Sequence, residues 1–400
     1  MNKRILICAA TFSQLIPVYD HMLKKKYSVD YILASQSGAK DTQANSLLIK
    51  MLRAVEFGFL SNSLFSMYHV GFIQNHSKNY FFNTLLKSLS YTSRKSRPSG
   101  KLIKRLLSRI LKFQLNYFKT KNISSYDEII FTGILTTKTE LALFLNADNK
   151  NITTTYWPAN WDNASSKCIN PLGSFTKSYY WTEEMKALME IVPYYKILIP
   201  GAFPRLRYLQ KVSHVADEVS LRILVALSQK SLDSSNKIIS NLNSQIEKCG
   251  IKNVQITIRP HPASKIPDIN NSKLNHIKLS TGDLIGINKS SNLTDAKNKM
   301  KIYEDEIVKV LSHADILICE GGTLILEAIN IGIPSIILSI NPYNPTAAHF
   351  NNFDHFKLLS SEESVKAVFS FHRLIENCQK LKQNKNQPIS EDLKLIIDQN

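Results

Sequence analysis

Two segments of the chain carry residue types suited to binding an anion. The first is Val254 to Pro262, VQITIRPHP, an apolar run that predicts a strand and ends in a loop holding Arg259 and His261 between prolines. Proline fixes its own φ and biases the preceding residue toward extended backbone, so both side chains project from a stiff frame. Two donors held this way suit a phosphate. The second segment is Asp315 to Leu338, DILICEGGTLILEAINIGIPSIIL. It predicts a buried strand from Ile316 to Cys319, a turn through Glu320, Gly321 and Gly322, a helix capped by Thr323 that ends near Gly332, and a second strand. Such a turn presents free N–H groups and the positive end of a helix dipole at the carboxyl edge of a parallel sheet, where phosphates bind. The competing reading is a glycine pair that only passes the chain from strand to helix.

A third segment, from Tyr156 onward, reads YWPANWDNASSK and continues to YYWTEE. Trp161, Asp162, Asn163, Ser165 and Lys167 fall in its first part, and Trp181, Thr182 and Glu183 in its second. Asp162 is the best candidate for a general base. The alternative is a loop in which Asp and Asn make turn hydrogen bonds.

The RPHP loop followed by a GGT…E…G-I-P segment resembles the nucleotide-binding half of GT-B glycosyltransferases and of the related CDP-glycerol and CMP-sugar transferases. That resemblance covers Ser220 to Leu338. It implies that His261, Gly321, Gly322 and Thr323 surround the donor phosphates and that Glu327 hydrogen-bonds the ribose, although a Glu at that position also suits a helix cap. Ser228 and Lys230, at the end of the first strand of the second half, are expected to border the donor site with Arg259 and Glu320. The WDN-S-K…W-T-E pattern resembles a signature of bacterial GT-B-like surface-polysaccharide transferases. It implies that Trp161, Asn163 and Lys167 lie on the acceptor side, with Thr11 and Ser13 after the opening strand RILICAA.

The elements that must hold these residues follow a repeating order. Strands are predicted near Arg4 to Ala9, Val29 to Leu33, Glu128 to Thr132, Ile152 to Tyr156, Ser178 to Trp181 and Lys196 to Ile199. They resume near Leu221 to Leu227, Val254 to Ile258, His276 to Leu279, Ile316 to Cys319 and Ser335 to Ser339, with helical patterns such as Ser234 to Lys248 between them. Alternation of this kind implies parallel sheets, and the Pro and Gly residues from Pro200 onward imply a domain boundary. The expected architecture is α/β of the GT-B type: two Rossmann-like domains with parallel sheets facing a central cleft. An acceptor and membrane-facing domain spans 1–205, a nucleotide-donor domain 206–375, and a helical tail 376–400. With 400 residues and 44% hydrophobic content, the chain has enough apolar surface for two cores.

Charge is distributed unevenly. The interval from Glu56 to Asp127 contains no acidic residue between its ends but holds twelve Lys and Arg, in a chain of net charge +18. Within it, Lys101 to Phe118 sets Leu102, Leu106, Ile110 and Phe113 at helical spacing among Lys104, Arg105, Arg109 and Lys112. That pattern predicts a basic amphipathic helix that docks on an anionic membrane. The competing reading packs the apolar stripe on the domain core and leaves the cations in water. Nucleic acid is not an expected partner, because stacking motifs, zinc spacings and recognition signatures are missing.

No apolar stretch approaches a membrane span, and the short run after Lys3 and Arg4 reads as a strand rather than a leader. The five cysteines are widely spaced, without metal or redox spacing, which fits reduced thiols. No Asp-x-Asp pair marks a metal-bound donor, so the expected chemistry uses neither metal nor cofactor, with the activated donor as substrate. The expected activity is transfer of a sugar from a nucleotide donor to a lipid-linked or growing surface glycan of the lipopolysaccharide, O-antigen or capsule type. The expected location is the cytoplasm, peripheral to the inner face of the plasma membrane. Three alternatives remain: a CDP-polyol-phosphate or CMP-ulosonate transferase, a sugar-nucleotide 2-epimerase, and a non-enzymatic basic scaffold for membrane or RNA.

Overall fold

The computed structural model of the protein describes residues 3–34, 47–60, 80–116, 121–133, 135, 137–160, 170, 172–214, 221–227, 232–250, 253–260, 277–280, 284–319, 323–338, 359–368 and 370–397. The chain forms two units. Met1–Arg205 and the terminal Ile396–Asn400 belong to the first, and Leu206–Asn352 and Phe356–Leu395 to the second.

The first unit is built on β1 (Arg4–Ala9), β2 (Ser28–Leu33), β3 (Glu128–Phe131), β4 (Thr153–Tyr156), β5 (Lys177–Tyr180) and β6 (Leu198–Pro200). They form a six-stranded sheet in the order β2-β1-β3-β4-β5-β6. All its pairings are parallel. Strands covered on both faces read as unbroken apolar runs, and β1 follows that rule with every residue after Arg4 buried. Around the sheet lie α1 (Phe12–Lys24), α2 (Leu47–Leu60), α3 (Tyr80–Lys95), α4 (Arg97–Asn116), α5 (Lys138–Asn149) and α6 (Glu183–Glu190). A capping box starts α5: Thr137 Oγ1 accepts from Glu140 N–H, and the Glu140 carboxylate accepts from Thr137 N–H.

The second unit contains β7 (Leu221–Ala226), α7 (Leu232–Cys249), β8 (Val254–Arg259), β9 (Ile277–Leu279), α8 (Leu284–Asn288), α9 (Leu293–Ser312), β10 (Ile316–Cys319), α10 (Thr323–Asn330), β11 (Ser335–Leu338), β12 (Val365–Val368) and α11 (Leu374–Lys382). Its sheet is also six-stranded and parallel, in the order β12-β11-β10-β7-β8-β9. This is the doubly wound order of dinucleotide-binding folds, with the chain reversing direction between β7 and β10. Both units are thus Rossmann-like, as the alternation of elements predicts.

Three details differ from the sequence reading. The edge strand β12 was not anticipated: VKAV is short and half exposed, and its place is defined by pairing with β11. The helix after the glycine pair starts at Thr323 itself, so Thr323 is a first-turn residue rather than the cap. The segment 376–400 is not a separate tail. Cys378 and Leu381 of α11 join the second unit's core, and Ile396 bonds through its N–H to Trp181 O and through its carbonyl to Ala202 N–H in the first unit.

Gly332 ends α10 in a Schellman motif. Ile333 N–H bonds to Ala328 O and Gly332 N–H to Ile329 O, with Gly332 at φ 78°. A Cβ there would lie 2.6 Å from Asn386 Oδ1. The adjacent Asp315 is buried at the start of β10 and pairs with Arg222 at 3.0 Å, Lys382 at 3.1 Å and Lys385 at 2.8 Å. The residues around α11 are therefore tied to the strand that leads into the glycine turn.

Candidate functional site

Register levels, at one edge of the second unit, the ends of the three strands that precede the sequence-predicted donor segments. Cys319 of β10 pairs with Ala226 of β7, and Ala226 pairs with Arg259 of β8, so three adjacent strands end level with one another. Leu227 N–H continues the ladder to Arg259 O at 3.0 Å. In the sequence, Ser228, His261 and Glu320 follow these strand ends by one or two positions. The edge includes the switch point between β7 and β10, where open α/β sheets bind ligands. Ser228, Lys230, His261, Glu320, Gly321 and Gly322 themselves lie outside the described residues.

Arg259 occupies the last position of β8. Its guanidinium lies over the Tyr303 ring, 5.2 Å from the centroid, and Nη2 donates to Tyr303 Oη. The aromatic face supports the cation from one side, while the remaining N–H groups of the fork keep their capacity for an anion. Thr323 opens α10 and is half buried. The first N–H groups of a helix have no partner within it, so this end adds donors and a favourable dipole. Glu327 is buried, and its Oε2 accepts from Tyr208 Oη. Tyr208 and Tyr303 were not singled out from the sequence. Each comes from a distant segment, and an isolated tyrosine carries no local motif.

In the first unit the corresponding switch point lies between β1 and β3. Thr11 is the N-cap of α1, with Oγ1 3.0 Å from Ser13 Oγ, and Gln14 Oε1 accepts from Ala10 N–H at 3.2 Å. Thr11 is half buried and Ser13 buried, so their hydroxyls help close the strand-to-helix turn. Trp181 is fully buried, and Thr182 caps α6 by accepting from Met185 N–H. The second half of the W-T-E pattern therefore starts a helix. Trp161, Asp162, Asn163 and Lys167 lie outside the described residues.

The basic segment forms α4, and its described faces separate cleanly. Gly100, Leu107, Leu111 and Leu115 are buried. Leu102, Leu106, Ile110 and Phe113 are 69%, 59%, 42% and 63% exposed. The core therefore takes a different row of leucines from the stripe read in the sequence. Among the described residues, no helix is long and apolar enough to cross a membrane.

Burial pushes the Cys8 thiol well above its ordinary range, with nearby Glu140 adding to the shift, and burial likewise raises Cys378. Neither is a ready nucleophile. The described cysteines Cys8, Cys249, Cys319 and Cys378 are free thiols. Among the described residues, no group of three His, Cys, Asp or Glu side chains is arranged to hold a metal.

Comparison with solved structures finds UDP-GlcNAc 2-epimerase from Methanocaldococcus jannaschii in complex with UDP-GlcNAc and UDP, at 16% identity over 98% of this chain and 95% of that one, with TM-score 0.48. UDP-GlcNAc 2-epimerase from Neisseria meningitidis bound to UDP-GlcNAc is 16% identical over 98% and 96%, with TM-score 0.46. The glycosyltransferase SnogD from Streptomyces nogalater is 11% identical over 98% and 97%, with TM-score 0.38. At these scores likeness alone carries no argument about activity. No family model matches the chain, and no curated protein matches it.

Proposed function

We propose that this protein is a transferase that moves a sugar from a nucleotide-activated donor to a lipid-linked or growing surface glycan, working at the cytoplasmic face of a membrane. The carrying observation is the common register of Cys319, Ala226 and Arg259, beside the helix that opens at Thr323. It gathers at one edge the starting points of the segments rich in phosphate-binding residue types. In this reading Arg259, His261, Thr323 and the N–H groups after Gly321 stabilise the phosphate. Ser228, Lys230 and Glu320 border the donor, and Glu327, anchored by Tyr208, supports the ribose side.

The chemistry in this reading is one substitution. The bond from the sugar's anomeric carbon to the phosphate oxygen breaks, the acceptor oxygen bonds to that carbon, and Asp162 takes the acceptor proton if the reaction inverts. The negative charge that develops on the departing phosphate is met by Arg259, His261 and the helix end. Thr11, Ser13, Trp161, Asn163 and Lys167 belong to the acceptor side. The exposed Leu102, Leu106, Ile110 and Phe113, in a helix rich in cations, favour a membrane-bound acceptor over an isomerase with one soluble substrate.

The test is to incubate the purified protein with UDP-, CDP- and CMP-linked sugars, recording thermal shifts and then nucleotide release with and without a lipid-linked acceptor. The expected result is a shift with one nucleotide class and release that depends on acceptor. Conversion of the sugar nucleotide without acceptor would establish the epimerase reading instead. Absence of any shift would leave the scaffold reading.

A further inference from the structure

A cavity of about 540 Å³ opens in the first unit between α4 and the segments 170–174 and 193–194. From α4, Lys101, Lys104, Arg105, Arg109 and Lys112 line it, and among the described residues no acidic side chain does. Lys104 pairs with the buried Glu56, whose other oxygen accepts from Tyr194 Oη at 2.9 Å. That carboxylate is thereby committed, and Lys101, Arg105, Arg109 and Lys112 have no anionic partner among the described residues.

A second, independent observation points to a ligand. Asn170 lines the same cavity and is 1% exposed. Its Oδ1 accepts from Leu172 N–H at 3.1 Å, which fixes the orientation of the amide. Its Nδ2 has no hydrogen-bond partner among the described residues. A buried amide donor left without a partner is costly, and Asn170 forms part of the cavity wall. Unpaired cations and an oriented neutral donor together describe a phosphoryl site rather than a solvated charged face.

We infer that this cavity binds the phosphate of a membrane lipid headgroup, with the lipid's chain lying along Leu102, Leu106, Ile110 and Phe113. Both features belong to α4: one face lines the cationic cavity, and the exposed apolar row runs along the same helix. A free phosphate would use the cavity and leave the apolar row uncovered, whereas an amphiphile uses both. The inference extends the proposed function, and rests on it only in making that lipid the carrier of the acceptor.

The test uses the full chain without sugar nucleotide and measures binding to phosphatidylcholine vesicles. One set carries phosphatidic acid, with its terminal phosphate, and the other phosphatidylserine at matched surface charge. The expected preference for phosphatidic acid is roughly tenfold or more, the scale of one charge-assisted hydrogen bond. Inorganic diphosphate should compete, and Asn170→Leu or the joint change of Lys101, Arg105, Arg109 and Lys112 to Gln should remove the preference. Leu102→Asp with Leu106→Asp should weaken vesicle binding while sparing diphosphate binding. Equal affinity for the two vesicle sets in the wild-type protein would overturn the inference in favour of general electrostatic docking. Diphosphate binding without vesicle binding would overturn it in favour of a soluble anion. Nucleotide thermal shifts are read separately, so a protein that binds no donor but prefers phosphatidic acid keeps this site and loses the transferase reading.

Discussion

Arg259 is the residue of the proposed phosphate site whose side chain the fold holds most directly. The Tyr303 face holds the guanidinium and fixes one edge of it, so the donors that remain lose little freedom on binding. His261 follows it by two positions across a proline. Replacing His261 with Ala should lower nucleotide affinity by roughly tenfold or more, since a hydrogen bond to a charged group is worth about 1.5–3 kcal/mol. Calorimetric titration of the folded variant measures this, and unchanged affinity would remove His261 from the phosphate site. Asp162→Asn keeps the shape of the side chain but not its basicity. If Asp162 is the base, turnover should fall by about 10² to 10⁴ with donor affinity nearly constant. Near-normal turnover would reduce Asp162 to a loop-forming residue.

At the scale of elements, α10 carries the clearest local requirement. Its Schellman end needs a left-handed residue at Gly332, and that backbone lies against Asn386. Gly332→Ala imposes both an unfavourable φ and a close contact, so stability should drop by about 1–3 kcal/mol. Urea unfolding at neutral pH would register the change as a lower midpoint with an unaltered slope. A midpoint equal to wild type would mean that Asn386 moves away freely. The opposite end of the same helix belongs to the proposed donor site, which the loosening is therefore expected to reach as well.

At the scale of the whole molecule, Asp315 links parts of the second unit that are far apart in sequence. Burial by itself raises its carboxyl pKa, but hydrogen bonds from Arg222, Lys385 and Lys382 outweigh this and hold it well below the usual carboxylate range. An aspartate in an unfolded chain titrates near about 3.9. Because the folded value is depressed, the stabilisation is fully present above that pH and is lost as pH falls through the folded value. Asp315→Asn leaves the buried Arg222 guanidinium uncompensated and should cost about 3–5 kcal/mol near neutrality. The two proteins should approach each other in stability as pH drops below about 4. A constant gap down to strongly acidic pH, followed by chemical denaturation, would contradict this account.

The sequence by itself determined the alternation of strands and helices, because strands buried on both faces must be apolar throughout. It also singled out the RPHP and GGT segments as candidates, by their proline and glycine content. It did not reveal β12, whose four residues form a strand because β11 offers an edge. Nor did it specify that Arg259, Ala226 and Cys319 end level with one another. That is a matter of register between strands separated by long stretches of chain. In α4, two rows of Leu and Ile lie at helical spacing, and either satisfies an amphipathic pattern. Only tertiary packing against α2, α3 and α5 chose Leu107, Leu111 and Leu115 for the core and left Leu102, Leu106 and Ile110 at the surface. The cationic cavity was equally hidden, since Asn170 and Tyr194 become its lining only when the folded chain carries them to the basic helix.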